Sequence, residues 1–284
     1  MKKFLAAAVA AIMALGVMTG CSSSSKPAED NKEQTEGEAE GTEGGERTQF
    51  IVGFDAEYPP YGYMAEDGTY VGFDLDLAQE VCDRNGWELV KQPIDWNSKD
   101  MELNSGSIDC IWNGFTMEGR EDGYTFSDPY MLNEQVIVVK AGSDISDFAG
   151  LSGKTVMTQV DSAALDVLEG DQAEVAATFK GGAAQTIGDY NNAFMQLDSG
   201  MIDAVACDLS IAQYQIAANP DKYVQLSTPL STEHYAVGFK KGDTELAQKV
   251  SETLKQLDAD GTVKQLCEKY ASYGISYDNW VLGK

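Results

Sequence analysis

The sequence offers few side chains for metal or nucleophilic chemistry. His234 is the single histidine, so zinc sites built from several imidazoles are excluded and a Ser-His-Asp triad would have one possible base. Asp258-Ala259-Asp260-Gly261 resembles the start of a calcium loop, but no acidic residue follows at the EF-hand spacing. We therefore predict no metal and no cofactor, and we interpret this segment as a helix-breaking turn.

Charge and composition limit the partners. The 284 residues include Lys+Arg 20 and Asp+Glu 46, for a formal net charge of −26. No run of Lys or Arg supplies a basic patch, so we exclude nucleic acid as a partner. Hydrophobic residues make up 43% of the chain, which is enough for a core, and the length suggests about two compact units.

The N-terminus predicts export and a lipid anchor. A basic start precedes an apolar run over residues 4–18 that is too short to span a bilayer comfortably. Met18-Thr19-Gly20-Cys21 resembles the bacterial lipobox, although that motif usually has leucine where Met18 stands. We predict a lipoprotein signal peptide over 1–20, lipidation of Cys21, and an extracytoplasmic protein held at the cell membrane. An ordinary secretory peptide with an incidental Cys21 is the alternative.

The segment 21–47 predicts a disordered acidic linker. Residues 22–46 contain eight acidic side chains and two lysines, and no aromatic or branched aliphatic residue. Such a stretch cannot bury a core. As a flexible tether of about 25 residues it would have a reach of roughly 25–30 Å.

From Phe50 the hydrophobic pattern alternates short strands with amphipathic helices, which indicates α/β architecture with largely parallel sheets. The tail, 244–270, is expected to be helical with one break at Asp260-Gly261. The predicted strands are 50–54, 88–93, 108–112, 130–140, 155–158, 175–179 and 202–207, and the other predicted helices are 75–82, 98–105, one from 163, 191–199 and 209–218.

An internal repeat points to two similar lobes. The segment Leu103–Asp109 recurs 94 residues later as Leu197–Asp203, with five of seven positions identical. Each copy combines a helix end, a glycine stop and an acidic residue that leads into a strand. The strands end at Asn113-Gly114 and at Cys207-Asp208. Ligands bind beyond the carboxyl ends of such strands, so we expect the two ends to face one cleft.

The chain resembles the bacterial extracellular solute-binding proteins of family 3, the polar amino acid family. The resemblance implies two lobes that close on a free polar amino acid, which an ABC permease then imports. It covers essentially everything from residue 48 onward. It rests on the segments 53–61, 71–78, 95–96, 103–109, 113–116, 126–130, 151–156 and 197–203, together with Asp208.

The resemblance also implies a domain organisation. The fold would be α/β and two-lobed, of the type II periplasmic-binding-protein kind, with each lobe a mostly parallel sheet flanked by helices and joined to the other by two crossing strands. We place lobe 1 at 48–130 and 235–284, and lobe 2 at 135–230. The hinges would lie near 130–134 and 231–235, which makes His234 a hinge neighbour. We expect a monomer.

Two charged residues are candidates for the ends of an amino acid. Arg120 suits the carboxylate, because guanidinium binds it through two parallel hydrogen bonds. The alternative is a surface arginine offset by Glu121 and Asp122. The family spacing T-x-T-x-x-R is one residue longer than that between Thr116 and Arg120. Asp208 suits the ammonium, and it could equally cap the helix that follows.

The remaining site residues follow from the resemblance. It implies ligand contacts from the Gly114 carbonyl, the Thr116 hydroxyl and Ser162, with Asp161 standing where the family has glycine. Tyr58 and Trp96 would form aromatic walls, while Phe115 could be wall or core. Asp55, with or without Asp161, would face the ligand side chain. This pattern favours lysine or arginine slightly, and glutamine also fits. The complete set of ligand-binding candidates is Asp55, Tyr58, Trp96, Gly114, Thr116, Arg120, Ser162 and Asp208.

Three further interpretations stay open at this point. Cys82, Cys110, Cys207 and Cys267 are interpreted as buried thiols, although export permits disulfides. An enzyme of the cyclohexadienyl or arogenate dehydratase type shares the fold, and Glu57 or Asp161 would be its acid or base. The extracellular part of a sensor is the third possibility, but no signalling segment follows. The binding protein is the leading interpretation.

Overall fold

A computed structural model describes residues 47–283 of the chain. The predicted signal peptide, the lipidation of Cys21 and almost all of the predicted linker lie outside these residues. Within residues 47–283, no helix combines the length and the hydropathy needed to cross a membrane.

The order of strands and helices follows the predicted alternation closely. The strands are β1 (Gln49–Phe54), β2 (Glu57–Tyr58), β3 (Gly62–Met64), β4 (Tyr70–Val71), β5 (Glu88–Pro93), β6 (Cys110–Ile111), β7 (Tyr124–Phe126), β8 (Met131–Lys140), β9 (Val156–Gln159), β10 (Gln185–Ile187), β11 (Ala204–Asp208), β12 (Tyr223–Gln225), β13 (Ser231–Tyr235) and β14 (Gly238–Lys240). The α-helices are α1 (Phe73–Asn85), α2 (Lys99–Ser105), α3 (Ala163–Glu169), α4 (Ala173–Ala176), α5 (Tyr190–Ser199), α6 (Leu209–Ala218), α7 (Thr244–Ala259) and α8 (Thr262–Lys269).

Two main sheets share one plan. The first has the order β5-β1-β6-β14-β7, and the second contains β10-β9-β11-β8-β12, with β13 also paired to β8. In each sheet three neighbouring strands are parallel and the remaining pairings are antiparallel. The expected mostly parallel sheets are therefore mixed, because the chain re-enters each sheet by an antiparallel strand. A small third sheet joins β2, β3 and β4.

The repeated segments form the same corner in both sheets. Helices α2 and α5 end at Gly106 (φ 79°) and Gly200 (φ 76°), in the left-handed conformation that glycine adopts without strain. After each stop, an aspartate accepts a hydrogen bond from the neighbouring parallel strand. The Asp109 carboxylate accepts from the Ile51 amide at 2.7 Å, and the Asp203 carboxylate accepts from the Thr155 amide at 2.7 Å.

The long strand β8 joins the two halves of the chain and pairs with β13. The pairing is antiparallel, with Met131 opposite Tyr235 and Asn133 opposite Glu233. The two segments predicted as hinges are thus neighbouring strands of one ribbon. Their role as hinges remains a prediction.

One predicted strand is wrong. Residues 175–179 form the end of α4 and the turn after it, and the strand at this edge is β10. Ala176 and Phe179 are buried in the core of the second sheet, and their spacing of three suits a helical turn. Because β10 is a largely exposed edge strand with polar residues, the hydrophobic pattern did not reveal it.

The C-terminal helices break where predicted. Helix α7 packs against β7 and β14 of the first sheet, and α8 packs against α1 and α7. Between α7 and α8, the Asp260 carboxylate accepts hydrogen bonds from both the amide and the hydroxyl of Thr262, at 3.1 and 2.7 Å. This confirms the interpretation of Asp258–Gly261 as a helix-breaking turn.

The cysteine side chains contribute to the core. Cys82 lies on α1, Cys110 on β6 and Cys207 on β11, and each is fully buried. Burial raises the pKa of these thiols. They act as small apolar side chains, as expected.

Candidate ligand-binding site

A small pocket lies where the carboxyl ends of strands from both main sheets meet. Its cavity volume is about 20 Å³, room for about one water molecule. A ligand as large as a free amino acid can therefore enter only when the lining residues move apart. Seven of the eight predicted site residues line it, and Gln159 and Ala163 add to them. The lining residues are Tyr58, Trp96, Gly114, Thr116, Arg120, Gln159, Ser162, Ala163 and Asp208.

The turn at Gly114 is held by a buried aspartate that the sequence analysis did not single out. Asp74, on α1, accepts hydrogen bonds from the Gly114 amide at 2.6 Å and from the Tyr130 hydroxyl at 2.8 Å. Burial raises the pKa of Asp74 to about 7, while these bonds oppose the shift. Gly114 has a φ of 59°, which glycine adopts without strain, and both Gly114 and Thr116 line the pocket.

Arg120 reaches the pocket despite the shorter spacing from Thr116. Gly119 adopts a φ of 79° just before it. The guanidinium lies over the Phe115 ring, 5.0 Å from its centroid, and pairs with Asp166 at 2.9 Å. It does not point to solvent, since its side chain is only 12% exposed. Because guanidinium has five N–H donors, the bond to Asp166 leaves others for a ligand carboxylate.

Asp208 takes the position of an N-cap but does not act as one. Its carboxylate makes no capping hydrogen bond to α6. Instead its Oδ1 accepts from the amides of Asn133 at 3.0 Å and Gln135 at 2.7 Å, and from the Tyr235 hydroxyl at 2.7 Å. None of these three bonds ends on Oδ2. Asp208 is 3% exposed, so it is a buried anion at the pocket wall.

Two aromatic side chains line the pocket, Tyr58 from β2 and Trp96 from the turn that follows β5. Tyr58 and Trp96 are both nearly buried. The Trp96 Nε1–H donates to the backbone carbonyl of Asp161 at 3.0 Å, which fixes the ring. Phe115 is fully buried and packs edge-on against Trp96, with ring centroids 5.6 Å apart. Phe115 is therefore core and supports the wall from behind.

The loop before α3 makes a second set of contacts. The Ser162 hydroxyl accepts a hydrogen bond from the Leu165 amide at 3.2 Å and so caps α3. Asp161 precedes it with a φ of 59°, the left-handed region that suits glycine. The Asp161 carboxylate forms an ion pair with Lys99, whose side chain is 3% exposed. The charge of Asp161 is thus matched within the protein.

Asp55 lies beside the pocket, not among its lining residues. Its carboxylate accepts from the Glu57 amide at 2.8 Å and from Gln159 Nε2 at 2.7 Å. Burial raises its pKa, and the negative charges of Asp189 and Glu57 add to the shift. Gln159 lies between Asp55 and the pocket, so the contact of Asp55 with a ligand side chain stays a prediction.

The structure adds four polar residues to the site. Asp74 orients Gly114, Gln159 lines the pocket, Lys99 neutralises Asp161, and Glu233 bonds to Thr116. A sequence signal existed for Gln159, which directly follows the predicted strand 155–158 and precedes the Asp161-Ser162 turn. No comparable signal marked Lys99, because a lysine on a short helix is usually exposed.

His234 and the acidic residues do not assemble a metal centre. His234 Nδ1 bonds to the Glu118 carboxylate at 2.7 Å, and its backbone amide donates to the same carboxylate at 2.9 Å. Over residues 47–283, no group of His, Cys, Asp and Glu side chains could hold a metal ion.

Comparison with known proteins gives the family. Residues 50–273 match the family described as bacterial extracellular solute-binding proteins, family 3. The chain belongs to this family. The match includes both main sheets and every residue that lines the pocket, so the family 3 fold and the candidate site coincide.

Curated relatives of this family 3 protein are named for amino acid binding. The L-cystine-binding protein TcyJ of Escherichia coli is 27% identical over 228 residues, covering 79% of this chain and 83% of the relative. The arginine-binding extracellular protein ArtP of Bacillus subtilis is 29% identical over 273 residues, covering 95% of this chain and 98% of ArtP.

Solved structures give the same fold, the type II periplasmic-binding-protein arrangement. A Streptococcus pneumoniae ABC uptake transporter substrate-binding protein with bound histidine has a TM-score of 0.77 and 33% identity, and the alignment covers 81% of this chain and 94% of that one. The ancestral amino acid-binding protein AncCDT-1, a precursor of cyclohexadienyl dehydratase, has a TM-score of 0.71 and 30% identity, with 78% and 95% coverage.

Proposed function

We propose that this family 3 protein captures a free polar amino acid and delivers it to the permease of an ABC importer. The observation that carries the proposal is one small pocket that has a half-buried cation, Arg120, on one side and a buried anion, Asp208, at the end of β11. A zwitterion needs both, because either of its charges would cost several kcal/mol if buried without a partner.

The roles of the other lining residues follow from their chemistry. Arg120 binds the carboxylate, with the Ser162 region beside it, and Asp208 Oδ2 accepts from the ammonium. The Gly114 carbonyl and the Thr116 hydroxyl complete the polar contacts. Tyr58 and Trp96 pack on the aliphatic part of the ligand, which removes apolar surface from water.

We further propose a ligand with a cationic or amide side chain. Asp55 supports this proposal. The Glu57 amide and Gln159 Nε2, which donate hydrogen bonds to its buried carboxylate, are both neutral, and a cationic group would offset its charge. Asp161 no longer supports it, since Lys99 already matches that charge. Arginine and lysine are therefore favoured over acidic amino acids, with glutamine as the neutral candidate.

Binding is proposed to close two lobes. Lobe 1 comprises 48–130 and 235–284, lobe 2 comprises 135–230, and the chain bends near 130–134 and 231–235. Arg120 and Asp208 come from different lobes in this division. Full binding energy requires both, so the ligand stabilises the closed state over the open one.

The decisive experiment is a ligand screen by calorimetry and thermal shift. We expect one or more of L-arginine, L-lysine, L-histidine, L-glutamine and L-cystine to bind and to raise the unfolding temperature, since a ligand of the native state adds stability. Asp55→Asn should weaken arginine and lysine more than glutamine. If none of these amino acids binds, the proposal is wrong.

An enzyme is the second candidate, because a structural neighbour is described as a precursor of cyclohexadienyl dehydratase. A dehydratase needs an acid or base beside its substrate. Asp161 is paired with Lys99, and Glu57 accepts a hydrogen bond from Asn191 Nδ2 at 2.6 Å. Both candidate acids are thus engaged by other side chains, which favours binding without chemistry. Turnover of arogenate or prephenate by the purified protein would reverse this choice.

The location of the protein is proposed from its N-terminal sequence. We propose export, lipidation of Cys21 and action as a monomer at the outer face of the cell membrane. Cys21→Ser should release the protein from the membrane fraction while its amino acid affinity stays the same. A variant that remains bound to membranes would show that the anchor is not Cys21.

A further inference from the structure

We propose that Glu233 is a positioning residue of the ammonium subsite, which shares one proton with Asp208 and gives that proton up when the ligand binds. This rests on the function proposed above and adds a property to it. Amino acid capture by this protein would therefore be coupled to proton release.

The two carboxylates are joined by the same pair of amides. Asn133 Nδ2 donates to Glu233 Oε1 at 2.8 Å and to Asp208 Oδ1 at 3.0 Å. Gln135 Nε2 donates to the same two oxygens, at 2.7 Å each. Both oxygens thus lie within hydrogen-bond distance of the same two nitrogens. The strand period of two places Asn133 and Gln135 on one face of β8, opposite Glu233 on β13.

Glu233 also connects the pair to the opposite wall of the pocket. The Thr116 hydroxyl donates to Glu233 Oε1 at 2.7 Å, and both Thr116 and Asp208 line the pocket. Three donors therefore end on Oε1, and Oε2 takes none of these bonds. These three bonds leave Oε2 as the oxygen that can carry the proton of the pair.

Burial makes two adjacent charges unfavourable. Glu233 and Asp208 are each 3% exposed. Like charges in a shared buried site disfavour double ionisation, and their protons leave in two coupled steps. Consistent with this, burial and the negative charge of Asp208 raise the pKa of Glu233 to about 7, although its hydrogen bonds oppose the shift.

Most of the other charged groups near Glu233 bond to a different side chain or lie on the far face of a strand. Across the adjoining cavity lie Glu118, Asp166 and Asp171. Glu118 bonds to His234, and Asp166 pairs with Arg120. Glu134 occupies the opposite face of β8 from Asn133 and Gln135, while Tyr235 donates to Asp208. Within this group, Asp208 is the charged residue that shares hydrogen-bond donors with Glu233.

A ligand ammonium changes the protonation equilibrium of the Glu233–Asp208 pair. Placed at Asp208 Oδ2, it adds a positive charge beside the pair and favours the doubly ionised state, so the apparent pKa of Glu233 falls. Binding then releases a proton at every pH at which the unliganded pair still holds one. Affinity should rise with pH across the neutral range and level off above it, with a slope of at most about tenfold per pH unit.

The test uses L-arginine and L-glutamine as probes, because neither side chain titrates near neutral pH. Calorimetry from pH 5.5 to 8.5 should show Kd falling by about tenfold or more for the wild-type protein. At pH 7, titrations in phosphate and in Tris should differ by the heat of buffer ionisation, which reports the released proton. Glu233→Gln keeps an oxygen at the Oε1 position, so its three hydrogen bonds persist. It should bind with similar affinity at all pH values and release no proton.

Glu118→Gln is the matched control, since it makes the same chemical change at an exposed carboxylate beside His234. It should retain both the slope and the proton release. A flat wild-type profile, or a slope that survives in Glu233→Gln, would overturn the proposal. Loss of the slope in Glu118→Gln would assign it to the His234 pair instead, which also overturns it. If neither probe binds at any pH while another amino acid does, that ligand replaces them. Failure of every amino acid would defeat the proposed function itself, and this inference with it.

Discussion

Arg120 and Asp208 show how single side chains are prepared for opposite charges. Arg120 lies over an aromatic ring and keeps spare N–H donors, whereas Asp208 accepts several bonds on one oxygen. In both cases neighbouring groups fix the side chain before a ligand arrives. Preorganisation of this kind reduces the entropy lost on binding.

Arg120→Ala should weaken amino acid binding strongly while the fold persists. Truncating one partner of a buried charge pair costs about 2–5 kcal/mol of binding free energy, which calorimetry would measure. Arg84→Ala is the control, because Arg84 pairs with Asp260 away from the pocket. Asp166→Asn removes the ion pair but keeps Arg120, so it shows how much of the lost affinity comes from the ion pair alone. Unchanged affinity in Arg120→Ala would refute the carboxylate assignment.

Asp74 should make stability depend on pH. Its pKa is about 7 in the folded protein against 3.8 as the ordinary value. The folded state therefore holds the proton more tightly, and the stabilisation from protonated Asp74 is complete below about pH 4. It is lost as pH rises through about 7, and amounts to a few kcal/mol.

We test this with Asp74→Asn and urea unfolding at pH 5 and pH 8. The unfolding free energy of the variant should rise relative to that of the wild type at pH 8, because the variant no longer buries a charge. Asp83→Asn, an exposed change on the same helix, should show no such pH-dependent difference. An equal effect of Asp74→Asn at both pH values would contradict the assignment.

At the scale of elements, short turns at strand ends determine the pocket. The turn after β6 carries Gly114 and Thr116, and the turn after β9 carries Asp161 and Ser162. Each turn includes a residue with positive φ. The repeated helix–glycine–strand corners hold β6 and β11 in equivalent places, so the Gly114 turn and Asp208 at the end of β11 both reach the pocket.

Gly114→Ala should damage both stability and binding. The added Cβ would lie 3.0 Å from Tyr235 and 3.2 Å from Tyr61, and the φ of 59° is unfavourable for alanine. Gly142→Ala is matched, because it has a φ of 79° with no atom within 4 Å of the new Cβ. Backbone strain of about 1–2 kcal/mol applies to both variants. The additional loss of unfolding free energy in Gly114→Ala therefore measures the clash of the new Cβ with Tyr235 and Tyr61. Equal unfolding free energies would show that the pocket accommodates the methyl group.

At the scale of the whole molecule, several contacts bridge the two sides of the cleft. Lys99 pairs with Asp161, Trp96 donates to the Asp161 carbonyl, and Asn191 donates to Glu57. Lys99 is nearly buried and also lies over the Trp96 ring, 5.2 Å from its centroid. A buried charge that loses its partner is strongly unfavourable, so this pair would hold together the two lobes proposed above.

Lys99→Met should shift the protein towards an open form. It keeps the length of the side chain but removes the charge that meets Asp161. Small-angle scattering without ligand should give a larger radius of gyration than the wild type, and a bound amino acid should reverse the increase. Lys154→Met is the control, because Lys154 pairs with Asp144 on the side of the second sheet. A radius that is the same in all three proteins would argue against lobe closure.

The sequence by itself determined the α/β alternation, the repeated corners and seven of the nine residues that line the pocket. These features are local or repeated, so they leave a pattern in the chain. The edge strand β10 escaped it, because an exposed polar strand has no hydrophobic signature. Lys99, which neutralises Asp161, lies 62 positions from it in the sequence. Asp208 and Glu233 lie 25 positions apart, and the residues that donate to both of them are still more distant in sequence. Only the tertiary structure decided these, since the first is a contact across the pocket and the second is set by the register of β11 and β13 on β8. Neither involves neighbours in sequence.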